Sequence, residues 1–291
     1  LCFITLGDRN FFLTSAVCLF LREAHTNCLI SYFLRTILYT QSEGSLTVLP
    51  NEGADKVTAN KESAENIKEN DMVKLEVKFG LVNAQGLFCK RFELKEKIEK
   101  SNFDFVTVTE TWKMSNSELK EACPEGFKFK YKPRKDERQG GGIALFFQDS
   151  IISTPRSRKD YETFECLDTS LYVLGAGTDI RLINIYRPPD SNKIKFLEEF
   201  ESLLAASNRS EENLFITGDF NLHVENPKSR EKEFLELIKS HGFKQHVKKP
   251  TQENGGILDL IMTDPDDLFV KNVRVSEFFS DHKFVQCMLQ I

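Results

Sequence analysis

From position 71 onward the apolar residues fall into short runs rich in β-branched and aromatic side chains. These are Val73–Val82, Phe103–Thr109, Ile143–Phe147, Leu171–Leu174, Ile180–Tyr186, Leu214–Thr217, Ile257–Met262 and Phe284–Ile291. Runs of this length and composition predict strands. Two stretches change period: Ile194, Leu197, Phe200, Leu203 and Leu204 recur at helical spacing, as do Phe234, Leu235, Leu237 and Ile238. Pro188 and Pro189 stop the strand ahead of the first helix. Strands and helices do not alternate strictly, so the pattern predicts an α/β (α+β) sandwich of two sheets with outer helices, in preference to an open parallel sheet. The 25 phenylalanines suit a thick sheet-on-sheet core.

Before position 71 the pattern is different. Residues 1–41 carry only five charged residues, and two apolar runs, Phe11–Leu21 and Cys28–Tyr39, stand apart. Neither reaches the roughly 18–20 apolar residues that span a bilayer, so no membrane association is expected. Residues 42–70 are polar and weakly patterned, as in a linker. The organisation therefore reads as an apolar N-terminal segment of unassigned role (1–41), a polar linker (42–70) and one α/β domain (71–291).

Composition narrows the classes further. There are 39 basic and 44 acidic side chains, for a net charge of −5. Coating of polyanions by bulk charge is excluded by that balance, while a local basic groove is not. The seven cysteines are odd in number, scattered and without a Cys-x-x-Cys pair, which argues for reduced thiols over a zinc ribbon or a disulfide scaffold.

Candidate chemistry gathers where strands end. In Leu214-Phe-Ile-Thr-Gly-Asp-Phe-Asn221, Gly218 permits a backbone bend, and Asp219 and Asn221 point the same way in extended chain. Such a pair either orients a water and a phosphate oxygen or closes the strand with an Asx-type turn. Glu110 ends the run Val106–Thr109, and Tyr186 ends Ile183-Asn-Ile-Tyr just before Arg187-Pro-Pro. A solvated edge charge and an amphipathic core phenol are the plainer readings of those two. Asp259 lies inside the apolar run Ile257–Met262 and needs a partner if buried. Ser280-Asp-His282 offers one in His282, since an Asp–His pair fixes the imidazole tautomer and raises its basicity.

Glu110, Asp219 and Asp281 present hard oxygens, suited to Mg²⁺ or Mn²⁺ and not to zinc. No His-Glu-x-x-His, P-loop or Gly-x-Ser-x-Gly motif occurs, which removes zincins, P-loop NTPases and nucleophile-elbow hydrolases. Gly140-Gly-Gly142 leads into a strand with no helix start, so it predicts a tight hairpin turn and not a phosphate loop. Lys128, Lys130, Lys132, Arg134, Lys135 and Arg138 interleave with Phe127, Phe129 and Tyr131. That alternation is either an ordinary amphipathic strand or part of a track for a phosphate backbone, with Lys132 and Arg138 as candidate DNA contacts.

Taken in order, Asn83 in LVNAQGL, Glu110 in TETW, GGGIALFF, Tyr186 in NIYRPP, ITGDFN, LDLIMTD and SDH resemble the endonuclease/exonuclease/phosphatase superfamily. NIYRPP, GDFN and the PT…LDLIMT spacing resemble more narrowly the endonuclease domain of non-LTR (LINE-type) retrotransposons, related to apurinic/apyrimidinic endonucleases. The resemblance spans about 72–291 and implies a deoxyribonuclease-I-like, four-layered α/β/β/α sandwich that nicks duplex DNA with Mg²⁺ or Mn²⁺. It implies Glu110 as metal ligand, with Asn83 arranging that centre and Asp281 assisting the metal or the leaving group. Asp219 would orient or deprotonate the attacking water, and Asn221 would position it. His282, held by Asp259, would contact a phosphate oxygen, and Tyr186 would hydrogen-bond the phosphate near the leaving group. Ser280 and Thr251 would make secondary phosphate or structural contacts.

Gln252 stands where many relatives carry His, and no reverse transcriptase follows the last strand, so the resemblance is to an endonuclease module by itself. A phosphatase of the same superfamily acting on a small phosphorylated substrate is one alternative. An inactive retroelement remnant that binds nucleic acid without cutting is another. A DNA substrate implies an intracellular, nuclear location; no address signal is read.

Overall fold

The computed structural model describes residues 2–6, 9–13, 75–135, 139–157, 159–174, 179–207, 213–263 and 270–291. The chain divides into two units, Leu1–Met72 and Val73–Ile291. In the first, β1 (Cys2–Leu6) pairs antiparallel with β2 (Arg9–Leu13). The remainder of the predicted apolar segment and the linker lie outside the described residues.

The second unit is built on two six-stranded sheets. One contains β3 (Glu76–Asn83), β4 (Phe105–Thr109), β5 (Phe127–Lys132), β6 (Ile143–Gln148), β13 (Val270–Phe278) and β14 (Lys283–Gln290), in the order β13-β14-β3-β4-β6-β5. The other contains β7 (Ile151–Ser157), β8 (Glu165–Val173), β9 (Asp179–Tyr186), β10 (Asn213–Asp219), β11 (Lys244–Gln245) and β12 (Asp259–Thr263), in the order β11-β12-β10-β9-β8-β7. Among the described residues only β3–β4 and β9–β10 pair in parallel, and each pair is central in its sheet.

Alternation along the strands sorts their side chains into layers. Phe79 and Phe105 of the first sheet meet Phe215 of the second, with ring centroids 4.8 Å (Phe79–Phe215) and 6.5 Å (Phe105–Phe215) apart. The opposite face of the first sheet, through Val82, Val106, Val108, Ala144 and Phe146, packs against Leu94 and Ile98 of α1 (Arg91–Ser101) and Leu119 and Ala122 of α2 (Asn116–Ala122). Ser115 and Glu118 form a capping box at the start of α2. Beyond the second sheet, Phe220 packs with Phe196 and Phe200 of α3 (Lys193–Ala206) and Phe234 of α4 (Ser229–Ser240). The result is the expected four-layered α/β/β/α sandwich. Among the described residues no helix is long and apolar enough to cross a membrane, and Cys89, Cys123, Cys166 and Cys287 are free thiols.

Several elements differ from the periodicity reading. The buried stripe of α3 runs through Phe196, Phe200, Leu203 and Leu204, while Ile194 in its first turn is exposed. Strand β8 starts at Glu165, not Leu171, because its buried Asp168 is neutralised bidentately by Arg181 on the next strand at 2.9 and 3.1 Å. The triple glycine is not a tight turn. Positions 133–142 form a longer connection between β5 and β6, and Gly141 and Gly142 accept hydrogen bonds from Trp112 and Thr111. They extend the pairing of β4 with β6 past the strand ends.

Candidate active site

The layer between the sheets changes character along its length. Side chains facing inward run Phe79, Leu81, Asn83 on β3 and Phe105, Thr107, Thr109 on its parallel neighbour β4. In the second sheet they run Phe215, Thr217, Asp219 on β10 and Leu182, Asn184, Tyr186 on β9. Antiparallel β12 places Ile261 opposite Thr217 and Asp259 opposite Asp219. One end of the interior is thus phenylalanine and leucine, and the other is amide, hydroxyl and carboxylate. Thr107, Thr109, Asn184 and Thr217 are fully buried, and their side-chain polar atoms have no partner among the described residues.

Gly218 lets β10 reach this end. It sits opposite Ile185 at φ +134°, and a Cβ there would fall 1.9 Å from the Ile185 carbonyl oxygen. The close approach of two backbones, more than a bend, is what requires glycine. Asp219 follows and is wholly buried. Its Oδ1 accepts the Asn221 backbone N–H at 2.9 Å, and its Oδ2 accepts Asn83 Nδ2 at 2.8 Å. The same Asn83 Nδ2 donates to Glu110 Oε1 at 3.0 Å, so one amide ties the two carboxylates together. Asn83 Oδ1 is occupied by the Gln85 N–H at 2.9 Å.

Glu110 follows β4 with φ +49°, and Asn221 follows β10 with φ +48°. Both lie in the left-handed region, where residues with a Cβ carry strain that surrounding contacts must hold. Asn221 is held by its Nδ2, which donates to the Arg187 carbonyl at 2.8 Å. Glu110 is held by its carbonyl, which accepts from Gly86 N–H at 2.9 Å. The Tyr186 phenol hydrogen-bonds the Glu110 carboxylate.

Across the site, His282 Nδ1 and Asp259 Oδ2 are 2.7 Å apart, both buried. Thr251, itself fully buried, uses Oγ1 to accept the backbone N–H groups of Leu258 and Asp259. Ser280 Oγ donates to the Asn83 carbonyl at 2.7 Å and accepts the His282 N–H at 3.0 Å, linking the ends of β3 and β14.

The electrostatics follow from burial and crowding. Burial first, and the neighbouring Asp259 second, push the Asp219 carboxyl well above its ordinary range. Burial opposes protonation of His282, but the Asp259 carboxylate outweighs it and pushes the imidazole up to about 10. His282 is therefore an imidazolium at neutral pH, a donor on both ring nitrogens. Burial and the charges of Glu110 and Asp219 raise the Tyr186 phenol, keeping it a donor.

One ligand atom from each of Asp219, Asp259 and His282 lies within 4.8 Å of the others. Asp259 Oδ1 and Asp281 Oδ1 are buried without a hydrogen-bond partner among the described residues. Glu110, Asp219, Asp259 and Asp281 thus place several negative oxygens at one mouth, some unpaired, against a single imidazolium. That donor set fits a hard divalent cation.

The structure brings Asn83, Glu110, Tyr186, Asp219, Asn221, Asp259, Ser280, Asp281 and His282 to the same end of the sandwich. Thr251 and Ser280 hold backbone groups of the surrounding loops by hydrogen bonds. Lys132 is engaged by other groups: its ammonium donates to the Cys166 carbonyl at 2.9 Å and pairs with Asp160 at 3.1 Å. Arg138 lies outside the described residues. Sequence reasoning missed Arg187, which is fully buried with no carboxylate hydrogen-bonded to its guanidinium among the described residues. Its nitrogens donate to the carbonyls of Phe220, Asn221 and Ser191 at 3.3, 3.2 and 2.7 Å, over the ring of Phe196. It fixes the turn that carries Asn221. The signal available was the YRPP tetrad, read as a strand end and a family motif but with no role given to its arginine.

Residues 180–286 match the sequence family described as endonuclease-reverse transcriptase. No curated protein matches the chain in sequence. Solved structures do match in fold. The endonuclease domain of TRAS1, a telomere-specific non-LTR retrotransposon, has a TM-score of 0.62 at 14% identity, covering 74% of this chain and 98% of that one. AP endonuclease LMAP from Leishmania major has a TM-score of 0.59 at 14% identity, covering 74% and 88%. A mannosyl-6-phosphatase from Bacteroides thetaiotaomicron has a TM-score of 0.53 at 14% identity, covering 74% and 99%. The chain resembles the endonuclease/exonuclease/phosphatase superfamily, and its fold is the deoxyribonuclease-I-like sandwich these structures share.

Proposed function

We propose that this chain is a divalent-metal-dependent phosphodiesterase that nicks duplex DNA. The observation that carries the reading is the convergence of Asn83–Glu110, Asp219–Asn221 and Asp259–His282 at one end of the sandwich. The match to an endonuclease-reverse transcriptase family over 180–286 supports a nucleic-acid substrate over a small phosphate ester.

In this reading Glu110 and Asp281 would hold Mg²⁺ or Mn²⁺. Asn83 serves by joining Glu110 to Asp219, its oxygen being engaged by Gln85. The His282–Asp259 bond and the imidazolium keep His282 out of the metal shell. When bound, the cation offsets negative charge that develops on the phosphoryl group and the leaving oxygen. Asp219, with its raised proton affinity, accepts the proton of the attacking water. Asn221, locked by Arg187, orients that water. The His282 imidazolium donates to a phosphate oxygen, and such donors strengthen as charge accumulates. The Tyr186 phenol hydrogen-bonds the phosphate near the leaving oxygen.

The test is nicking of supercoiled plasmid by the full chain, with Mg²⁺ and with EDTA, beside Asp219→Ala. Nicking that needs both the metal and Asp219 is expected. A folded protein that never nicks, yet releases phosphate from a small monoester in the presence of Mg²⁺, would replace this reading with the phosphatase one.

A further inference from the structure

Beside Glu110 and Tyr186 opens a cleft of about 380 Å³, within the size range of sites for small ligands. Its walls include Trp112, Pro188, Pro189 and Gln85. The phosphoryl chemistry described above uses the side chain of none of these four. Trp112 is held in an unusual way. It has φ +60°, a strained conformation for a bulky residue. Its N–H donates to the Gly141 carbonyl at 2.8 Å, its carbonyl accepts the Tyr131 hydroxyl at 2.9 Å, and its indole N–H lies 3.4 Å from Glu110 Oε2. One face of the ring lies on Gly86, where a Cβ would meet indole carbons at 2.8 and 2.9 Å. The glycine at φ +90° therefore serves as the backing of the indole.

The surroundings over-determine a flat aromatic plate immediately beside a carboxylate of the reacting centre. Strain of this kind concentrates at ligand clamps, where a fixed geometry is worth its cost. Pro188 and Pro189 add rigid apolar surface. Gln85 is exposed, and its side-chain amide makes no hydrogen bond among the described residues. A plate, an apolar wall and one free amide form the combination that takes a planar heterocycle with hydrogen-bonding edges. Because Glu110 and Tyr186 also line the cleft, its occupant must be continuous with the phosphoryl group they handle.

We propose that this cleft is a nucleobase subsite, in which a base flanking the scissile phosphate stacks on Trp112 and presents its edge to Gln85. The inference rests on the phosphodiesterase reading and adds to it a source of target preference. Stacking is tolerant of base identity, whereas an edge contact to an amide is not.

The chain contains one tryptophan, so its fluorescence reports this subsite alone. The Asp219→Asn protein, which leaves DNA whole, is titrated with a short duplex whose binding is followed in parallel by anisotropy of a labelled strand. Duplexes with a single base removed, one position at a time around the preferred nick, form the second arm. Deoxyribose 5-phosphate, the sugar without a base, is the third. Expected are a fluorescence change with intact duplex, its loss when one particular flanking base is missing, and no change with the sugar phosphate. Trp112→Ala should weaken duplex binding roughly 10-fold or more, with Trp112→Phe restoring most of it. Gln85→Ala should flatten the preference at one base position, read as the ratio of nicking rates between duplexes that differ only at that base, whatever it does to the total rate. Duplex binding with unchanged Trp112 fluorescence, or equal changes with and without every flanking base, would overturn the subsite while leaving the nuclease intact. A folded wild-type chain that neither binds nor nicks DNA would remove the parent reading and the subsite with it.

Discussion

Gly218→Ala tests the geometry that delivers Asp219. The added Cβ would fall 1.9 Å from the Ile185 carbonyl oxygen and 2.7 Å from its carbonyl carbon and nitrogen. Those are backbone atoms in a central parallel pair, so no side chain can swing aside. Overpacking of this kind costs about 1–3 kcal/mol, and holding alanine at φ +134° adds about 1–3 kcal/mol of strain. The sum, roughly 2–6 kcal/mol, is a large part of a typical stability of about 5–15 kcal/mol. Urea unfolding followed by Trp112 fluorescence should show the midpoint lowered by ~1–2 M at an unchanged slope. If the strands part to relieve the clash, Asp219 moves against Tyr186, its register partner on β9, and nicking falls even in protein that stays folded. A variant within ~0.5 kcal/mol of wild type with full nicking would refute the claim that backbone contact dictates glycine here.

Three further outcomes are expected. Asp219 binds its proton more tightly folded than unfolded, so it costs stability as pH rises from near 3.8 through its raised value. Asp219→Asn, measured by thermal melts in EDTA, should therefore be inactive yet more stable than wild type at pH 8 by ~1 kcal/mol or more, the gap closing toward pH 4. His282 contributes the opposite kind of charge: its stabilisation is complete below 6.5 and lost as pH climbs toward about 10. Melts of His282→Gln should lack most of the wild-type loss over that interval, and its nicking should fall ~10²-fold or more. Arg187→Lys keeps the charge but not the fork that spans Phe220, Asn221 and Ser191, so kcat should drop about 10- to 100-fold with KM little changed; an unaltered kcat would show that the Asn221 turn holds itself.

The site was legible in the sequence to the extent that its residues are polar intruders in apolar runs. Asp259 within ILDLIM and Asp219 after LFIT announce themselves because a buried charge must be explained, and the His282–Asp259 pair was readable on that ground. Arg187 was not, because its partners are carbonyl oxygens, which every residue carries. Strand β8 was shortened for a related reason: Asp168 can lie within a buried strand only in company with Arg181. β13 escaped notice as an edge strand whose alternation is broken by register shifts and by Asn272 at φ +55°. Helix α1 buries only Leu94 and Ile98, too thin a stripe to stand out among its charges. The lysines of β5 alternate as expected, but which face they share, and that Asp160 would claim Lys132, depend on the strand's place at a sheet edge.

The change from phenylalanine to amide and carboxylate along the inner layer has a mechanical consequence. Adhesion between the two sheets resides at the end of Phe79, Phe105 and Phe215, where apolar area is removed from water. At the other end the sheets meet through Thr109, Asn83 and Asp219, groups that gain little from leaving water. The sandwich is clasped like a book at its spine. The candidate site is the fore-edge, where the sheets are joined by directed bonds such as Asn83 to Asp219, while the spine keeps the pages in register.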